Sequence, residues 1–549
     1  MKRLRWLRLA LGSLFALMFP VAWLLVSPPI LRAVGPVEDA WNLEYVGRAV
    51  TSNGQDDLGA YSKLAPWPDS DGRYVYSGCY AVSPLDPGPG RDRCFLTVDL
   101  KDPERPLRLA TVHAYDVDAS PSPPLDHIVW SDQYPFPALP VQVPCKVSWD
   151  DPGISAGTTR PACWDPGWNT HTHYVSLGPD KVLAVNQERF RSGTTKQANY
   201  HGVKFYDVSD PVNPVFLSYW EAPVSDPDST GEWVDARGSH HFNFDGPYLY
   251  LGTEYEGYVG RVFVILDVRD PRNPVEASHW GIPGQKTPEE DAIRDWVQAP
   301  SFNSPIVNEN GKWTKHVGMH YATVYGNRAY LAYNQAGLVI MDVEDKRNPR
   351  FISRLDYLVP TFDDPMNPDR DACVKAAGQP AACGNAHSAK MVPGKEVLWL
   401  TDEYFTCPYG HLRMIDISDE ASPRIISHFA YPENTACDPN TPDRAADPTR
   451  YLWRGPSSHI GNTLGDSLLF LAWYGMGVRV IDISDVEKPV AAGHYSYVID
   501  RNKFAGNDTY DVIFGPGGYL YASDGTSGLR VLRYTGQGGG RSSKPRGEN

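Results

Sequence analysis

The sequence predicts an all-β fold, a seven-bladed β-propeller of four-stranded antiparallel blades, preceded by a hydrophobic helix. Three observations carry that expectation. An apolar run followed by Asp-x-x-Asp-x-x-x-Pro recurs six times, at Asp99/Asp102/Pro106, Asp207/Asp210/Pro214, Asp267/Asp270/Pro274, Asp342/Asp345/Pro349, Asp416/Asp419/Pro423 and Asp482/Asp485/Pro489. Repetition on this scale marks propellers and solenoids. Around each copy, alternating β-branched and aromatic residues are cut by Gly, Asn, Asp and Pro, as an antiparallel meander requires. A seventh, partial unit follows at 510–534, YDVIFGPGGYLYASDGTSGLRVLRY, with Arg533 where the other copies carry Asp.

In chain order, residues 1–8 are strongly basic and precede an uncharged stretch from Leu9 to Val26. Residues 1–35 therefore read as a signal peptide or an uncleaved signal anchor, a transmembrane helix whose positive flank stays in the cytoplasm and sends the rest of the chain across. The propeller is expected over 40–535. Its repeating unit is clearest from Gly318 to Arg354, with strand a at His320–Val324, strand b at Ala329–Tyr333, strand c at Leu338–Val343 and strand d at Arg350–Arg354. The Asp residues suit turns because their carboxylates accept backbone N–H bonds, and the Pro fixes where c-to-d pairing ends. The seventh unit lacks strand d, which would leave an unpaired edge. Trp41–Val50, similar to the other d strands, is expected to close the ring by supplying it. Residues 536–549, rich in Gly and Ser, read as a disordered tail.

Phrases such as GLVIMDVEDKRNP, LRMIDISDEASP, VRVIDISDVEKP and VKFYDVSDPVNP resemble the LVIVD repeat of bacterial and archaeal extracytoplasmic, cell-surface propellers. The resemblance implies the fold and an extracytoplasmic setting, and says little about activity.

With 549 residues, 42% hydrophobic, there is ample material for one large core, and the formal charge of −15 argues against nucleic acid as a partner. Eight cysteines fall in neighbouring pairs, Cys79/Cys94, Cys145/Cys163, Cys373/Cys383 and Cys407/Cys437, with no Cys-x-x-Cys. Disulfides in an oxidising periplasm or cell surface are the simplest reading. All eight lie in or beside long segments that connect strand d to the next strand a, or b to c, so one face of the ring is elaborated and stapled.

Strand a starts on that face, and its opening residue is repeatedly histidine: His171 or His173, His240/His241, His316 or His320, His387 and His459, with Tyr510 in the seventh unit. Strand b returns alongside, so residues about 14 positions later should share the rim: Glu254, Asn334, Trp473 and Asp524, with Asp402 one step further. His173, His240, His241, His320, His387 and His459 are thus candidate metal ligands, Glu254 and Asp402 candidate carboxylates, and Trp473, Asn334, Tyr510 and Asp524 candidate ligand-binding residues. Imidazoles with a carboxylate and an open position suit copper, iron or zinc. The same histidines at blade starts also suit plain structural ties.

Other motifs are weaker. Gly153-Ile-Ser155-Ala-Gly157 lacks the strand and helix of a nucleophile elbow and reads as a loop. Pro288–Gln298 reads as a short amphipathic helix in a linker, with Thr287 as its N-cap. Two functions stay open: an extracytoplasmic binding or scaffold propeller that takes a small molecule, a surface protein or a glycan, anchored to the membrane by its N-terminal helix; or a metal-dependent oxidoreductase built on the histidine ring.

Overall fold

The structure is a computed structural model, and it describes residues 37–57, 61–67, 72–79, 93–113, 129–131, 170–171, 174–189, 202–223, 239–258, 260–286, 318–334, 336–355, 385–403, 409–435, 456–498, 508–525 and 527–536. Seven separate antiparallel sheets are arranged as blades. In the fourth, strands Tyr321–Tyr325, Arg328–Ala332, Leu338–Asp342 and Arg350–Leu355 pair in sequence order, each within one or two residues of the expected bounds. Strand a of each blade is innermost: residues from all seven of them, Lys63, Ser176, Asn243, Tyr321, Lys390, Asn462 and Asp511, line one central cavity.

The ring is closed as the missing edge demands. Leu43–Arg48 pairs antiparallel with Gly528–Tyr534, from Leu43 opposite Tyr534 to Arg48 opposite Arg530, and so becomes the outer strand of the seventh blade. The residues just before it do something the sequence did not reveal. Val37–Trp41 turns aside and pairs with Val490–Val498, adding a fifth strand to the sixth blade. Asn42, at φ 56°, makes the corner between the two strands. Val129–Ser131 likewise adds a fifth strand to the first blade.

The Asp phrase works the same way in all six copies. The first Asp accepts the N–H of the residue two positions on, at 2.9–3.1 Å. The second Asp does the same at 2.9–3.0 Å. These turns also tie blades together: Ser218, Ser278 and Ser427, each in a strand d, donate to the backbone carbonyls of Pro271, Lys346 and Val486 in the next blade's turn. Between blades, apolar side chains such as Phe242, Leu251, Val264 and Ile340 are wholly buried and supply most of the stability.

Among the described residues no helix is long and apolar enough to cross a membrane. The hydrophobic stretch 9–26, the segments 153–157 and 288–298, His173, and the cysteines other than Cys79 and Cys94 lie outside the described residues. Cys79 and Cys94 stand on adjacent strands, one step beyond the Gly78/Phe95 pair.

Candidate functional site

The inner strands are irregular where the histidines sit. In the third blade the pairing runs Ser239/Thr253 and then Phe242/Leu251, and in the fifth Ala386/Asp402 and then Ser388/Thr401. One extra residue on strand a falls at His240–His241 in one case and at His387 in the other. A bulge of this kind turns a side chain away from the regular alternation and towards the channel. The seventh blade has the same shift at Tyr510.

The result is a chain of buried imidazoles across four blades. Ring centroids are 4.5 Å apart for His240 and His320, 4.0 Å for His320 and His387, and 4.2 Å for His387 and His459. The other face of each ring is fixed by the protein. His320 Nδ1 donates to the carbonyl of His387 at 3.2 Å, His459 Nδ1 donates to the carbonyl of Tyr510, and His387 Nδ1 bonds Ser388 Oγ at 2.7 Å. A carbonyl can only accept, so in His320 and His459 the proton sits on Nδ1 and Nε2 carries the lone pair. His240 Nε2 lies 2.8 Å from His320 Nε2. One carboxylate joins them: Glu403 places Oε2 3.9 Å from His387 Nε2 and Oε1 3.9 Å from His459 Nε2, and accepts a hydrogen bond from Tyr474 Oη. The ligand atoms of His320, His387 and Glu403 all lie within 4.8 Å of one another. Donors around a tetrahedral zinc ion are roughly 3.4 Å apart, so these groups need only small rotations to close on one.

Glu403, rather than its neighbour Asp402, is the acid that stands beside the imidazoles. Asp402 is buried in an ion pair with Arg413, Nε to Oδ2 2.5 Å, and accepts the N–H of Asn385 at 3.0 Å. The bulge at His387 shifts the register by one residue, which brings the residue after Asp402 to the imidazoles. Glu254 ends its strand opposite Arg261 and is not in the three-residue group. Trp473 is buried between blades, donates Nε1–H to the carbonyl of Pro456 at 2.8 Å, and meets Tyr431 edge-on. Asp524 is also occupied structurally, accepting from Asp508 N, Thr509 Oγ1 and Ser527 N at 2.9–3.1 Å. Trp473 thus takes part in packing between blades and Asp524 in a turn. Tyr510 does stand at the site, its ring 5.5 Å from His459. Asn334, at φ 41°, is buried, and its backbone bridges to Ala386.

His241 lies in a different position from the other four. It is wholly buried between Tyr174, at 3.8 Å, and Tyr321, at 4.1 Å. Burial first, then the positive charge of Lys63 and the neighbouring imidazoles, holds its pKa well below the ordinary value.

Comparison with known proteins agrees with the repeat. The LVIVD-repeat family model matches residues 322–356, the fourth blade from strand a through strand d. The chain is a propeller that carries an LVIVD repeat in its fourth blade. Five of its other six blades carry the same Asp phrase and the same turn. No curated protein matches the chain. Among solved structures, the computationally designed Ika8 protein is similar at 7% identity and TM-score 0.38, covering 88% of this chain and 99% of that one. A candidate 6-phosphogluconolactonase from Bacteroides uniformis is similar at 10% identity and TM-score 0.40, covering 84% and 99%. The extracellular domain of a candidate hybrid two-component system from B. thetaiotaomicron is similar at 10% identity and TM-score 0.38, covering 90% of this chain and 42% of that one.

Proposed function

We propose that this LVIVD propeller is an exported, metal-binding protein that holds a divalent transition metal, copper, iron or zinc, at the mouth of its channel. The ligands are His320, His387 and Glu403, with His240 and His459 alongside. One observation carries the reading: His320 and His459 each give their Nδ1 proton to a backbone carbonyl, which leaves the Nε2 lone pair of His320 in the group with His387 and Glu403 and that of His459 3.9 Å from Glu403 Oε1. Metal-ligating histidines are oriented in this way by the partner of the second nitrogen. A purely structural tie has no need of a carboxylate near two imidazoles, 3.9 Å from each. The extracytoplasmic setting rests on the basic, apolar N-terminus and on the even cysteine count.

A second reading, metal-dependent oxidoreductase chemistry at the same ion, is favoured by Tyr474 and Tyr510, 4.5 and 5.5 Å from His459. Elemental analysis of protein purified from the membrane and periplasmic fractions tests the proposal. About one equivalent of metal per chain, retained on dialysis and lost in His320→Ala and His387→Ala, is expected. Protein that takes up no stoichiometric copper, iron or zinc on reconstitution would leave the metal-free binding and scaffold reading in its place.

A further inference from the structure

Three residues down strand a from the imidazoles, the channel changes chemistry. His240 is followed by Asn243, His320 by Thr323, His387 by Lys390 and His459 by Asn462. At about 3.3 Å per residue this second tier lies roughly 10 Å below the first. It opens on a cavity of about 400 Å³ lined by strand a of every blade.

Two ammonium groups face this cavity. Lys63, only 6% exposed, donates to the carbonyl of Phe242 at 2.8 Å and to Asn243 Oδ1 at 2.7 Å. Lys390 donates to the carbonyl of Gly461 at 2.9 Å and to Asn462 Oδ1 at 3.1 Å. An ammonium has three N–H donors, so each lysine keeps one unassigned. The two asparagines cannot turn away to serve anything else, because each donates its amide N–H to the next blade, to Ala322 and to Val512, both at 2.7 Å. Among the described residues neither lysine has a carboxylate within ion-pair distance. The one acidic group in the cavity, Asp511, already accepts the N–H of Leu64 and of Val512, at 3.0 and 2.8 Å.

With all three groups ionised, two cations and one anion in the cavity would leave one positive charge in excess. An uncompensated buried charge is costly, and proteins keep one where a ligand supplies the counter-charge. Burial draws the Lys63 pKa down to about 7, with Asp511 opposing and Lys390 lowering it further, so an anion bound beside it would hold it in the charged form. Between the polar groups the walls are apolar, from Val175, Ile460 and Ile513. A bare inorganic ion would leave them bare, whereas a short hydrocarbon body covers them.

We infer that this lower tier binds a small organic monocarboxylate, its carboxylate bridging the third N–H of Lys63 and of Lys390. The site uses none of the groups assigned to the metal, so it stands or falls separately. Calorimetric titration of the purified full chain with butyrate, after chelator treatment, tests it. Saturable binding at one site is expected, with none for the neutral isostere butyramide, and with affinity lowered about tenfold or more by Lys390→Gln. Asn462→Asp offers a second variant that places a carboxylate on Lys390 from within; it gives up the amide N–H bond to Val512, so its melt is recorded beside the titration, and the folded protein should no longer bind butyrate. His320→Ala should bind butyrate as the parent does. Loss of binding in His320→Ala, equal binding of butyramide, binding of inorganic phosphate with none of butyrate, or no saturable binding would each overturn the assignment.

Discussion

Asp402 and Glu403 are adjacent acids with opposite expected consequences on substitution. Asp402 and Arg413 are both essentially inaccessible, with the carboxylate 2.5 Å from Nε. Asp402→Ala leaves a buried guanidinium without its counter-charge, which costs about 3–5 kcal/mol. It also orphans the N–H of Asn385, now 3.0 Å from Oδ1, for about 1–3 kcal/mol more. Glu403→Gln keeps an amide oxygen to accept from Tyr474, so about 1 kcal/mol or less is expected. Metal content should reverse the order. Urea melts of both variants, paired with elemental analysis of whatever stays folded, separate the two roles. Glu403→Gln should melt like the parent yet bind metal at least tenfold more weakly. If Glu403→Gln keeps full metal content, or if Asp402→Ala melts like the parent, the division of labour drawn from the bulge at His387 is refuted.

Other expectations follow from the same geometry. His241 has a folded pKa depressed well below its unfolded value, so the folded chain binds fewer protons and stability should fall as pH drops below about 6.5. His241→Phe should flatten the pH dependence of unfolding on the acid side; an unchanged profile contradicts it. Peptide mapping without reduction should find Cys79 joined to Cys94, because their strands run side by side one step past Gly78 and Phe95; either cysteine recovered free counts against this. Removing Leu43–Arg48 exposes the edge of the last blade and strips Tyr45 from its stack on Tyr495 at 6.2 Å. The melting temperature should fall markedly, by several kcal/mol of stability, and a parent-like melt would show that the ring does not depend on this strand.

The blades were legible because their signals are local. The Asp phrase, the Gly-Asn turn after Tyr325 and the alternation of apolar residues each act within a few positions, and closure by the 43–48 strand followed from one unpaired edge. The imidazole tier was legible for the same reason, since strand a begins each unit. What escaped was set by register. Counting from histidine to its neighbour on strand b assumes regular pairing, and the bulge at His387 displaces the carboxylate by one residue, from Asp402 to Glu403. Trp473 and Asp524 share that rim in sequence yet are consumed by Pro456 and by the 508–527 turn, which only three-dimensional partners reveal. The lysine tier was written in the chain as a polar residue three positions after each histidine, including His387 to Lys390. Nothing local distinguishes those lysines from solvated ones, because their burial comes from blades hundreds of residues apart.

The central claim, that the imidazoles and Glu403 form one coordination site, is tested most directly by titrating metal-free protein with Co²⁺ and following visible absorption. The account predicts intense d–d bands of a four-coordinate ion that saturate at one equivalent and vanish in His320→Ala and in Glu403→Gln while both variants remain folded. Weak octahedral bands that never saturate, or a spectrum unchanged by either substitution, would contradict it.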